Sequence, residues 1–280
     1  MNTRRVRGIA SLIAVTAVIA LTGCTPTPSP TTPTPTPTQS TPAPQEYPVE
    51  VFWTSSQPTD IRLASEVVTV ATDQSPLVAA LSGILDGTLT PTDPDYVNLW
   101  GSGSRLNNLV FEDTIATLDI SVGNINVGAM SEFGALQQLM FTVTAAEPSV
   151  TGFRFTIDGE TVETLAGHVD LTSIVTIGDP NESLMAVQIV SPLENDVTAS
   201  PVTVTGQACV FEATVAWELR RDGDTIDSGS TMAAEACPTR SAWTLELGEL
   251  QTGTYTIVVR EMSAKDGSVV TEDTRTFAVQ

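Results

Sequence analysis

Lysine is almost missing from this 280-residue chain. Lys265 is its single example, and 12 basic residues in all face 33 acids, for a formal net charge of −21. Nucleic-acid binding needs a basic footprint, and docking on anionic headgroups needs a polybasic patch, so neither is expected. Histidine is as scarce: His168 stands alone in "LAGHVDL", without the partners that ligation or acid–base catalysis requires. It reads as a structural or exposed residue. Aromatic residues make up 5%, thin for a sugar-stacking platform. No G-x-S-x-G elbow and no H-E-x-x-H pair occurs. Gly101-Ser102-Gly103-Ser104 lacks the Lys-Ser/Thr of a phosphate loop, and Asp222-Gly223-Asp224 with Asp227 lacks EF-hand spacing and reads as a turn. A carboxylate pair for glycoside hydrolysis is defined by separation in space, and no sequence feature favours one. The chain is therefore expected not to be an enzyme, with no catalytic, cofactor-binding or metal-binding residues and no cofactor.

Cysteine occurs three times, and each position carries an expectation. Arg4, Arg5 and Arg7 precede an apolar run from Ile9 to Leu21. That run is short for a membrane span, which takes about 20 apolar residues, and fits the h-region of a signal peptide. Leu21-Thr22-Gly23-Cys24 follows and resembles a bacterial lipobox, which implies lipidation of Cys24 after removal of residues 1–23. Two or more acyl chains anchor stably where one is marginal. The expected location is extracytoplasmic, on the outer face of the cell membrane, with the membrane itself as the first partner. Removing residues 1–23 deletes three arginines and no acid, which leaves 33 acids against nine bases and a charge of −24. Residues 24–47, nearly all threonine and proline to Pro44, cannot build a core. Their prolines favour polyproline II, so twenty residues reach on the order of 60 Å as a semi-rigid stalk. Cys209 and Cys237 remain, and a lone pair in an exported chain reads as a disulfide, worth about 3.5 kcal/mol by loop closure. A redox or metal pair is the alternative, set back by the long spacing and the lack of a nearby histidine.

Two domains follow. Residues 48–178 mix strands and helices. Val49–Trp53 and Glu66–Val70 are β-branched or aromatic runs. Ser75-Pro76 opens a helix with Leu77, Ala80, Leu81, Ile84 and Leu85 on one face and Gly87 at its end. Leu106–Phe111 and Ile115–Ile120 predict a hairpin. A second helix carries Phe133, Leu136, Leu139, Met140 and Val143, and Val150–Ile157 predicts a strand returning through Asp158-Gly159 into Thr161–Leu165. The expected fold is α+β, two helices on a sheet. Residues 179–185 read as a linker. Residues 186–280 show seven short strand patterns separated by Pro192, Asp222-Gly223, Gly253 and Asp266-Gly267, the pattern of an all-β immunoglobulin-like sandwich with Trp217, Trp243, Tyr255 and Phe277 in its core.

"SPLVAALSGILDGTL", "LVFEDTIATLDIS" and "GALQQLMFTVTAAEPSVTGFRFTIDGETVETL" resemble, in order, the elements of the GerMN (sporulation and spore germination) domain. They include Leu85-Asp86-Gly87, Ile115–Ser121 and Gln137-Gln138 to Thr144, and Gly103-Ser104 stands where the family often has Gly-Thr. "SPLENDVTASPVTVTGQACVFEATVAWELRRDGDTI" and "TGTYTIVVREMSAKDGS" resemble the immunoglobulin-like domain that accompanies it. The resemblance implies a lipoprotein acting by protein–protein interaction, with an envelope or membrane protein such as a sensor kinase as partner. The alternative is a module binding cell-wall glycan or a small germinant in a groove between the domains. A cell-wall hydrolase comes third, without a site to support it.

Overall fold

The computed structural model describes residues 44–55, 61–123 and 129–280; Cys24, the signal-like segment and the Thr/Pro tract lie outside them. Strand β1 (Gln45–Ser55) runs antiparallel to β2 (Leu63–Thr72) along its full length, pairing Gln45 with Thr72. Regular structure thus begins three residues before the expected domain start. Helix α1 (Pro76–Asp86) has Pro76 in its first turn and stops at Gly87, whose φ of 77° terminates it without steric cost. Ser75 holds the N-cap position but makes no side-chain cap bond. The short strand β3 (Tyr96–Val97) pairs with the end of β1.

Strands β4 (Arg105–Glu112) and β5 (Ile115–Ser121) form the expected hairpin. Helix α2 (Ala129–Ala146) then carries the chain to β6 (Gly152–Ile157), which lies parallel to β5. The domain therefore has two three-stranded sheets, β2-β1-β3 and β4-β5-β6, where a single sheet was expected. Both sheets and both helices share one core, with Val51, Trp53, Leu81, Ile84, Leu118, Ile120, Leu136, Leu139 and Phe153 buried together.

Two local expectations are corrected. Asp158-Gly159 does make a tight turn, but pairing ends at Ile157 with Glu160. Val175 exchanges both backbone hydrogen bonds with Phe153 on β6, and Thr164–Leu165 (β7) pairs instead with Val169–Asp170 (β8). Phe133, placed on the core face of α2, is 42% exposed. Its ring instead lines a surface groove with Ile61, Leu63 and Met130.

The segment expected to be a linker is structured. Asp179 caps the single helical turn α3 (Pro180–Ser183), and Met185 is buried. Beyond it the seven expected strands appear as β9 (Val187–Ser191), β11 (Val202–Ala208), β12 (Thr214–Arg221), β13 (Asp224–Met232), β14 (Ser241–Gly248), β15 (Gly253–Met262) and β16 (Val269–Val279), with a two-residue β10 (Val197–Thr198) between the first two. They form a five-stranded sheet, β10-β16-β15-β12-β13, facing a three-stranded sheet, β14-β11-β9. Trp243, Tyr255 and Phe277 are buried between them, and Trp217 is partly buried against the same core. Cys209 and Cys237 are joined by a disulfide, Cα–Cα 4.5 Å, at one end of the sandwich.

Candidate functional site: the joint and groove between the domains

The two domains meet through hydrogen bonds that continue one domain's sheet into the other. Leu63 of β2 makes a parallel bridge to Leu184, and its carbonyl accepts from the Met185 N–H at 2.9 Å. The Gln188 amide extends this pairing: its Nε2 donates to the Ser65 carbonyl at 2.6 Å, and its Oε1 accepts from the Ser65 N–H at 3.4 Å. Arg62 donates to the carbonyls of Asn181 and Leu184. The outer edge of β2 is in this way partly covered, which removes unpaired strand backbone from solvent.

Beside this seam lies a buried ionic cluster. The polar loop before β3 supplies Asp93 and Asp95, β3 itself supplies Tyr96, and β16 supplies Asp273, Thr274 and Arg275. On β16, residues 271, 273, 275, 277 and 279 share one face by strand alternation and are all buried. Phe277 and Val279 enter the sandwich core, whereas Asp273 and Arg275 meet the neighbouring domain. Arg275 is ion-paired with Asp93, donates to the Ile189 carbonyl at 3.0 Å and to the Tyr96 hydroxyl at 3.2 Å, and lies 5.5 Å from the centre of the Tyr96 ring. Asp273 accepts from the Tyr96 hydroxyl at 3.0 Å and the Ile189 N–H at 2.6 Å. Asp95 accepts from both the N–H and the hydroxyl of Thr274. Glu66 fixes the loop by accepting from the N–H groups of Thr92 and Asp93.

Burial sets the proton affinities here. Complete desolvation pushes the Asp273 carboxyl up to about 8, the charge of Asp95 adds to the rise, and the donors Ile189 and Tyr96 offset only part of it. Burial lowers Arg275 to about 10, so it remains a cation at neutral pH. Tyr96 is raised well above its ordinary value, first by burial and then by Asp273, and stays a donor. The carboxylate oxygens of Asp93, Asp95 and Asp273 lie within 4.8 Å of one another, close enough for a divalent cation. Each already has protein partners, and the guanidinium supplies the positive charge.

A groove of about 360 Å³ opens beside the cluster, with Glu50, Glu66, Glu194 and Asp196 among its walls and Val190 and Leu193 as apolar surface. Among the described residues no aromatic side chain lines it. Arg275 also lines it, so four acids against one base leave the walls net negative, which suits a cation better than a stacked sugar ring.

The other residues singled out from sequence lie elsewhere. His168 is half-exposed, with Nδ1 2.7 Å from the buried carboxylate of Glu132 on α2. Asp222-Gly223 forms the turn between β12 and β13 with φ of 53° and 89°, and Asp227 accepts from the N–H of Ser228. Ser104 accepts from the Gly123 N–H, a role that a threonine hydroxyl would also fill. Gln137 and Gln138 are buried and accept from the N–H groups of Gly178 and Leu99, so the glutamines of this helix hold neighbouring loops. Sequence reasoning missed the ionic cluster entirely.

Residues 50–163 match the family described as sporulation and spore germination, and residues 186–268 match the immunoglobulin-like domain of bacterial spore germination. The chain carries both domains. Similar solved structures include the tandem GerMN domains of the sporulation protein GerM from Bacillus subtilis, at 13% identity and a TM-score of 0.39, covering 50% of this chain and 48% of that one. This chain thus spans about half of that structure. The first GerMN domain of the same protein gives 14% and 0.37 over 49% of this chain and 96% of that one. A Clostridium perfringens structure described as a lipoprotein gives 17% and 0.33 over 50% and 93%. No curated protein matches the chain. Among the described residues no helix is long and apolar enough to cross a membrane.

Proposed function

We propose that this protein is a lipid-anchored envelope protein, held through Cys24 on the outer face of the cell membrane, that works by binding a protein partner in a germination-type or sensor-kinase-associated assembly. The observation that carries this reading is the pairing of the two germination-type domains, in order, behind a signal-like segment and lipobox-like cysteine. The disulfide agrees with an oxidising compartment outside the cytoplasm. Binding in this reading uses exposed domain faces or a sheet edge and requires no catalytic constellation.

A second reading, a small ligand held between the domains, draws on the acidic groove and favours an amine-bearing germinant over a glycan. Crosslinking in intact cells, purification from membranes and mass spectrometry, with Cys24→Ala as control, separates the two. The first reading predicts one membrane protein recovered with the anchored form and lost with the variant. Recovery of wall glycan or of no protein with either form would contradict it.

A further inference from the structure

We propose that the joint between the two domains is proton-linked: the buried cluster of Asp93, Asp95 and Asp273 holds one proton while the domains are docked, and opening the joint releases it.

Among the described residues, three carboxylates with oxygens inside 4.8 Å share one cation, Arg275, which is ion-paired with Asp93 and makes only a longer contact to Asp273. Asp95 is partly exposed and takes two hydrogen bonds from Thr274. Asp273 is fully buried, receives bonds only from neutral donors, and has its Oδ2 3.8 Å from the guanidinium. The surplus negative charge therefore falls on the least solvated carboxyl, where ionisation is most costly.

Among the described residues, the surroundings add no cation to Arg275. From β2, Glu66 faces the cluster, and from the loop after β9, Glu194 does so; both carboxyls are themselves raised, first by burial. From the loop before β3 come Asp93 and Asp95, and from β3 comes Tyr96. The strand β9 contributes only the Ile189 backbone and the Gln188 amide. On β16 itself the flanking ionisable residues are Glu272, which pairs with Arg260, and Arg275. His168 contacts Glu132, away from the cluster.

Linkage then fixes the sign. An opened Asp273 titrates near the ordinary value of about 4, whereas the docked one holds its proton to about 8. Docking is fully favoured below about pH 4, weakens by up to tenfold per pH unit as pH rises through that window, and levels off above about 8.

The test is amide hydrogen exchange of the full chain between pH 5 and 9, corrected for intrinsic base catalysis. The Ile189 N–H, bonded to Asp273, and the Thr274 N–H, bonded to Asp95, report the joint. Their protection should fall up to tenfold per unit to about pH 8 and then flatten. Asp273→Asn should remove the slope, and Asp95→Asn, which deletes the neighbouring charge while keeping Asp273, should move the plateau to lower pH. Should Asp273→Asn fail to fold, the wild-type profile and the Asp95→Asn shift decide the matter. A flat wild-type profile, an unchanged slope in a folded Asp273→Asn, or an unmoved plateau in Asp95→Asn would overturn the proposal.

Discussion

Trp243 occupies the space that a side chain at Gly206 would need. The two residues face each other across β11 and β14, and a Cβ at position 206 would overlap the indole ring and the Gln188 carbonyl. A looser version recurs where Trp217 faces Gly229, whose added Cβ would lie 3.0 Å from the ring. Large rings filling the gap above a cross-strand glycine help pin strand register. Gly206→Ala should accordingly cost about 1–3 kcal/mol through overpacking. Denaturant unfolding measures it, and an unchanged midpoint would contradict this packing. The tryptophans are legible in the sequence as core residues by strand alternation. Their glycine partners are not, because register is a property of two strands and not of one.

Helices and strands announce themselves through periodicity, and this is why α1, the β4–β5 hairpin and the sandwich strands lie where the pattern puts them. The exceptions share a cause. Thr161–Leu165 carries a plausible strand pattern, but the edge of β6 is taken by Val175, a competitor 18 residues downstream of Ile157 in the sequence and invisible to local reading. Residues 179–185 look like a linker because they are polar, yet their backbone is held by Arg62 and Leu63. The cluster has the same character, since Tyr96 and Asp273 are separated by 177 residues. One local signal existed: Asp273 and Arg275 occupy the core-facing phase of a strand that ends in Phe277 and Val279, and charge in that phase marks a buried polar contact. The disulfide closes a separation of 28 residues. Cys209→Ser with Cys237→Ser should lower stability by about 2–5 kcal/mol, measured by chemical denaturation. A loss near zero would mean that the sandwich end is held by packing alone.

At the scale of the whole molecule, the described chain is a pair of domains joined by a β-like seam and a buried ion cluster, and Ala43–Gln280 form one unit. The proposed partner, gripping one domain, would therefore act on both. Breaking a buried ion pair by removing one partner costs about 3–5 kcal/mol, because the remaining charge is stranded. Arg275→Met would strand Asp93 and should uncouple the domains without removing core packing in either. Calorimetry of the full chain at pH 6 tests this directly. The account predicts one cooperative transition for the wild type and two separated transitions for Arg275→Met. Two independent transitions in the wild type, unmoved by the substitution, would contradict it.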